Sequence, residues 1–373
     1  MAWYDTDWSN AFEVTTDPAE IPSSQTDFPV HVDLSQLGGA HAFWTTVKSD
    51  GGDLRVTKSD GTTEVPMELV FIDTTAKTGV LYFSSDGTLD AVSADTFRVY
   101  YGNSGVSLPA ASATYGSQNV WDANFAMVHH MDGAAYTDLD DSTSNGNDCT
   151  AKFWSPAFNQ TGKSGKAVRL SNSPDSLTMG SDASIDFDGT DSFTVSCWAR
   201  IDGGSGTDRV MVERYYSGST YPYNLRIHSS NKAYLAIWDG TYAPIAWADN
   251  TVDSSWHYYS GVRHVADDKL YLYIDASLQG SGTTDTTTGS ISNSGSSVGV
   301  GNQVGTSKSV RGPMDEVRIS NVARSADWTT VEYNTINDAT FLSYGAELSA
   351  PSAGDDPSAG GDPTPCQAIL VLL

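Results

Sequence analysis

GPMDEVRIS, residues 312–320, is the stretch on which the reading of this chain turns. Gly312 and Pro313 make a turn pair, and the residues after them alternate. Met314, Glu316, Arg318 and Ser320 fall on one side, Asp315, Val317 and Ile319 on the other. A period of two marks a β-strand, whose successive side chains point to opposite faces. The charge inside it is unusual for a late strand of a β-rich domain. Either it is an edge strand with solvated charges, or an acid is turned inward to hold a cation or cap a loop.

With 373 residues the chain is long enough for two domains with cores of their own. Abundant Gly, Ser and Thr, 11% aromatic residues and no long helical periodicity indicate an all-β protein. The net charge of −26 argues against nucleic acid or an anionic membrane as partner, since both require basic patches. The acids are mainly Asp, a turn former and a good oxygen ligand for calcium. Cys149, Cys197 and Cys366 fit no zinc or redox spacing and allow at most one bridge, Cys149 to Cys197. The N-terminal residues show no secretory signal, and no stretch reaches the roughly 20 apolar residues of a spanning helix.

Residues 1–118 read as a first β-sandwich. FPVHVDL (28–34) alternates, and DLRVTKSDGTTEVPMELVFID (53–73) holds two strands about an Asp60-Gly61 turn. GVLYFSS (79–85) and DTFRVYYGN (95–103) complete the set, and 107–118 is a linker. Residues 119–348 form a second unit of about ten short alternating segments, the length of a jelly roll. The tail from 349 to 373 is rich in Pro, Gly, Ser and Asp before an apolar tip, AILVLL (368–373). It reads as a flexible arm with a docking peptide for virion or other surface-assembly proteins, or as a frayed end.

Several motifs carry a family resemblance. DSTSNGND (141–148), GKSGKAVRLS (162–171), DSFTVSCWARI (191–201), SSWHYYSGV (254–262), DKLYLYIDA (268–276) and MDEVRISNVARSADW (314–328) occur in this order. The series resembles the LamG-like jelly rolls of the concanavalin A-like lectins and glucanases. Asp275-Ala276 departs from the family's usual Asp-Gly turn. The first domain, through DFPVHVDL (27–34), GGDLRVTKSDGTTEVPMEL (51–69) and FRVYYGN (97–103), resembles a β-sandwich family of unassigned function that often precedes LamG modules. The fold expected is an N-terminal β-sandwich followed by a concanavalin A-like jelly-roll sandwich.

The resemblance places the Asp/Asn loop beside the 312–320 strand. It therefore implies a structural calcium site shared by Asp141, Asn147, Asp315 and Glu316, against the plainer reading of self-capping Asx turns. For glycan stacking the candidates are Tyr215, Tyr216, Tyr221 and Tyr223, followed by Trp238, Tyr242 and Trp247. Trp198 and Trp256 sit in strong strand patterns and are expected in the core. A retaining glucanase needs two carboxyls about 5–5.5 Å apart on one side of a strand. Asp315 and Glu316 are adjacent and so expected on opposite faces, and Glu213 stands alone. The reading is a non-enzymatic recognition or structural protein that binds a cell-surface glycan, without membrane insertion and with homo-oligomerisation open. The setting expected is a virion, as a decoration, fibre or tail-adhesion protein. A bacterial or archaeal surface adhesin and a carbohydrate-active enzyme or its accessory module are the alternatives.

Overall fold

Strand Gly312–Ser320 forms where its alternation puts it, inside a nine-stranded antiparallel sheet. Lys166–Leu170 and Phe125–His129 share one of its edges, and Phe193–Arg200 takes the other. All nine of its residues are buried, so the expectation of solvated edge charges fails. Gly312 is required by proximity: a Cβ there would stand 1.6 Å from the Arg200 carbonyl oxygen. The structure, a computed structural model, describes residues 2–171, 174–203, 206–214, 220–302, 306 and 308–351.

A seven-stranded sheet packs against the first. Its order runs from Ala151–Phe153 through Ser176–Thr178, Gly299–Val300, Arg209–Glu213, Tyr221–Ile227 and Lys232–Trp238 to Ile245–Thr251. Val195, Met211, Leu225, Leu235, Val317 and Ile319 fill the space between the two. Each such side chain stabilises the sandwich by about 1.5–3 kcal/mol through area removed from water. Cys149 and Cys197 are buried and free, so the open question of a bridge between them resolves against it.

The first domain is a smaller sandwich. Pro29–Asp33, Thr78–Ser84 and Met67–Asp73 make one sheet; the other is centred on Asn10–Thr16, Thr96–Tyr101 and Arg55–Lys58. The expected Asp60 turn is there, with its carboxylate accepting from the backbone of Thr62 and Thr63 at 2.8 Å each. The outer strands of this domain come from the far end of the chain. Leu342–Tyr344 pairs with residues 14–16, and Leu348–Ser349 with 10–11. The sequence reading runs the second domain to 348; Phe341 and Leu342 instead join the first domain's core, together with Phe12 and Val14.

A helix that the strand-by-strand reading did not anticipate lies between the two sandwiches, Ala326–Asn337. Ser325 caps it by accepting from the Trp328 amide at 3.0 Å, and Asp327 sits favourably in its first turn. Trp328 and Val331 enter the first domain's core, while Tyr333 stacks on Trp198 at 5.5 Å. Trp198 is buried as expected, but under this helix rather than between the two large sheets. Trp256 is only partly buried, with the Arg200 guanidinium 5.9 Å from its ring. Among the described residues no helix is long and apolar enough to cross a membrane.

Candidate functional site

The seam between the domains holds the charges of the 312–320 strand. Along Phe193–Arg200 the pairing slips: Ser196 faces Arg318 but Trp198 faces Asp315, so one residue opposes two. That is a β-bulge, and Glu316 takes its left-handed position at φ 48°. The bulge resets the alternation. Met314, Val317 and Ile319 enter the sandwich core, leaving Asp315, Glu316 and Arg318 together on the outer side. The expectation that the two acids point to opposite faces is thereby corrected. They face no open groove, being 0% and 2% exposed beneath the helix and the first domain.

Arg318 bonds Glu316 at 2.7 Å, Glu332 of the helix at 2.8 Å and the Tyr82 hydroxyl of the first domain at 2.9 Å. His130 closes the cluster, 2.9 Å from Glu316 and 3.4 Å from Glu68. Burial alone would raise the Glu316 carboxyl, but His130 and Arg318 outweigh it and hold it at about 2. For His130 burial acts downward, and Glu316 and Glu68 together raise it well above the ordinary value. Asp315 is pushed up by burial and by its neighbour Glu316. Its Oδ2 accepts from the Lys163 and Ser164 amides at 2.8 Å each, in a loop where Gly162 permits the approach.

The four residues proposed for calcium do not converge. Asp141 accepts from the amides of Val128, Thr143 and Asn147 and from the Thr143 hydroxyl, all at 2.9–3.0 Å. It is the organiser of its own loop. Val128 turns both its N–H and its C=O to residues 141–142, so strand Phe125–His129 stands between that loop and the 312–320 strand. Asn147 donates to Ala126 and Ser184. Glu316 is already matched by two cations. Among the described residues no group of three or more His, Cys, Asp and Glu side chains is arranged to hold a metal.

The aromatic candidates divide. Tyr223 is a correction: a bulge at 222–223 turns it into the core, fully buried, its hydroxyl donating to the Ile185 carbonyl at 3.0 Å. Tyr221 and Trp238 are cross-strand partners with ring centroids 5.7 Å apart. Trp247, 39% exposed, pairs across strands with Tyr234 at 4.9 Å, and His228 meets it edge-on at 5.2 Å. Ala233, Leu235 and Ile237 go to the core, so Tyr234 and Trp238 share the outer face. Tyr242 stands exposed in the turn between these strands, where Asp239 accepts from its amide. Tyr215 and Tyr216 lie outside the described residues. Sequence reasoning missed Tyr234, although its place two residues before Ala236 and four before Trp238 gives the same period-two signal.

Two facing antiparallel sheets with this run of strands leave one further observation. Residues 171–328 match the concanavalin A-like lectin/glucanases superfamily. The concanavalin A-like domain is thus established for the second sandwich, and the match does not extend over the first. No curated protein matches the chain in sequence. Among solved structures it is similar to the binding domain of Paraclostridial Mosquitocidal Protein 1, at 15% identity and TM-score 0.46, covering 57% of this chain and 52% of that one. It is also similar to the botulinum neurotoxin serotype D binding domain, at 12% identity and TM-score 0.46, covering 57% and 50%. The serotype G binding domain gives 15%, 0.45, 56% and 50%. The chain spans about half the length of these structures, and likeness at this level says nothing of ligand or partner.

Two serine–histidine contacts have the spacing of a nucleophile and base: Ser164 Oγ, 2.8 Å from Nε2 of the first domain's His31, and Ser230 Oγ, 2.9 Å from Nδ1 of His228 in an exposed turn. The amides of Lys163 and Ser164, which would serve a developing oxyanion, are both committed to Asp315. Glu213 is not alone, as the sequence suggested, but buried against Arg226 on the next strand. His257 is held between Asp275 at 2.6 Å and Asp253 at 3.0 Å, as a strand-turn clamp.

Proposed function

We propose that this chain is a glycan-recognition protein without catalysis, and that it binds through the outer face of the seven-stranded sheet of its concanavalin A-like domain. One observation carries the reading: two cross-strand aromatic pairs, Tyr221–Trp238 and Tyr234–Trp247, lie on the same solvent-side face, with Trp247 39% exposed. The rings of the two pairs are tilted, at 55° and 44°, and Tyr234 is buried, so Trp238 and Trp247 offer the apolar faces for the C–H groups of sugars and the polar tips supply hydrogen bonds. Tyr242, in the turn joining two of these strands, is exposed as well. The acids at the seam support a structural rather than a bond-breaking role, because each is buried and engaged.

The test is a glycan array probed with the full chain, with and without EDTA, beside the variants Trp247→Ala and Trp238→Ala. Truncating an aromatic anchor costs more than about 1–2 kcal/mol of binding, roughly 5–30-fold. Both rings are partly exposed, so the loss of fold stability stays near or under about 1 kcal/mol. Absence of any glycan signal, or binding indifferent to both variants, would overturn this assignment. The setting that fits the sequence reading is a virion surface, with a cell surface as the alternative. Antibody labelling of purified particles and of cell envelopes separates the two.

A further inference from the structure

A cavity of about 550 Å³ opens at the seam, far in sequence from the aromatic face and using none of its residues. Three parts of the chain wall it: the first domain around 31–36 and 71–80, the loop and strands at 159–166, and the end of the seam helix with the residues that follow it. The volume lies within the roughly 300–1,000 Å³ of small-molecule sites.

Its chemistry is specific. Four side-chain amides line it, Gln36, Asn159, Gln160 and Asn337. Gln36 donates to Asp33 at 3.2 Å, Gln160 donates to the Phe158 carbonyl at 2.8 Å, and the Asn337 side-chain carbonyl accepts from Lys163 at 2.7 Å, which leaves each a further donor or acceptor for a ligand. The rings of Phe71 and Tyr344 add apolar surface. Ser164 lines it as well, with its hydroxyl set by His31 at 2.8 Å. Burial lowers His31 to about 4, so above that pH it is a neutral partner and adds no charge to the cavity. The formal charges at the walls cancel, Lys163 and Lys166 against Asp33 and Asp338. The chain as a whole carries −26 and repels anions at long range. Amides and hydroxyls that donate and accept alternately, apolar rings and no net charge describe a complement to vicinal hydroxyls on a ring.

We infer that the interdomain cavity is a second ligand site, taking a neutral mono- or disaccharide, distinct from the aromatic face of the concanavalin A-like domain. It requires both domains, because Gln36 and Phe71 come from one and Asn159 and Gln160 from the other.

The full chain is titrated with a panel of uncharged sugars (glucose, galactose, mannose, N-acetylglucosamine and their disaccharides) while the imidazole protons of its seven histidines are followed by NMR. At least one sugar is expected to shift the His31 resonances saturably. The double variant Gln36→Ala/Gln160→Ala removes two partly exposed wall amides and is expected to weaken that titration at least tenfold. Trp247→Ala, which alters the other face, is expected to leave it unchanged. A panel with no effect on His31 overturns the inference, and so does a titration untouched by the amide variant or abolished by Trp247→Ala. Loss of array binding alone would overturn the aromatic-face reading without touching this one.

Discussion

Arg318→Met tests the seam where its energetics are most exposed. The guanidinium is 2% exposed and satisfies Glu316, Glu332 and the Tyr82 hydroxyl at once. Met keeps most of the apolar stem, so the packing change alone should cost less than about 1.5 kcal/mol. The electrostatic change dominates, because removing one partner of a buried ion cluster strands the others at about 3–5 kcal/mol. Glu316 retains His130, and Glu332 retains the Tyr258 hydroxyl at 2.8 Å, which places the expectation near 3 kcal/mol. Urea unfolding of the full chain, followed by tryptophan fluorescence, reads the loss. Adding Glu316→Gln removes one stranded charge, so the double variant should recover about 1 kcal/mol relative to additivity. A single-variant loss under about 1 kcal/mol, or strict additivity, would refute the account of the seam as a coupled charge cluster.

Three further outcomes are expected. Gly312→Ala brings a methyl to within 1.6 Å of the Arg200 carbonyl and should cost more than about 3 kcal/mol or prevent folding, read as loss of soluble, melting-competent protein. Asp141→Ala strands the four donors that the carboxylate gathers and should cost about 2–4 kcal/mol by urea midpoint, with or without added calcium. Acid should weaken the fold in two steps. His31 is neutral when folded, with a value near 4 against 6.5 in the unfolded chain, so its contribution is complete above pH 6.5. That contribution, about 3 kcal/mol, is lost as the pH falls from 6.5 to 4. Glu316, depressed to about 2, adds a second loss between pH 4.5 and 2. Asp315, raised in the fold, acts in the opposite direction over the same range, so the step is read as the difference between the parent chain and His31→Gln. A difference in urea midpoint that does not change between pH 7 and pH 4.5 would contradict it.

The architecture of the second domain was legible because burial on one face of a strand imposes period two, and its motifs keep that period from 166 to 320. What the period hides is a single inserted residue. Glu316 at φ 48° moves Asp315 to the other face, and the bulge at 222–223 sends Tyr223 inward; nothing in either local sequence marks the slip. The Asp141 loop shows the opposite case, where Asx-turn chemistry read from residue types alone describes the outcome better than the implied cation. The helix at 326–337 was obscured because Thr329, Thr330 and Val331 read as strand formers, and only Ser325 and Asp327 signal its start. Of the aromatic face, Trp238 and Trp247 were visible as residue types, but their pairing depends on register across two hairpins.

The pairing of Val14 with Tyr344 has a bearing on synthesis. The two positions are 330 residues apart, and at about 5–20 residues per second a ribosome delivers the later one roughly 15–65 s after the earlier. The domain begun first is therefore the last to be completed, and the 10–16 strand waits with an unfilled edge while the whole intervening sandwich emerges. A nascent chain interrupted before 342 would carry a finished jelly roll on an unfinished host, with a sticky hydrogen-bonding border exposed to its neighbours.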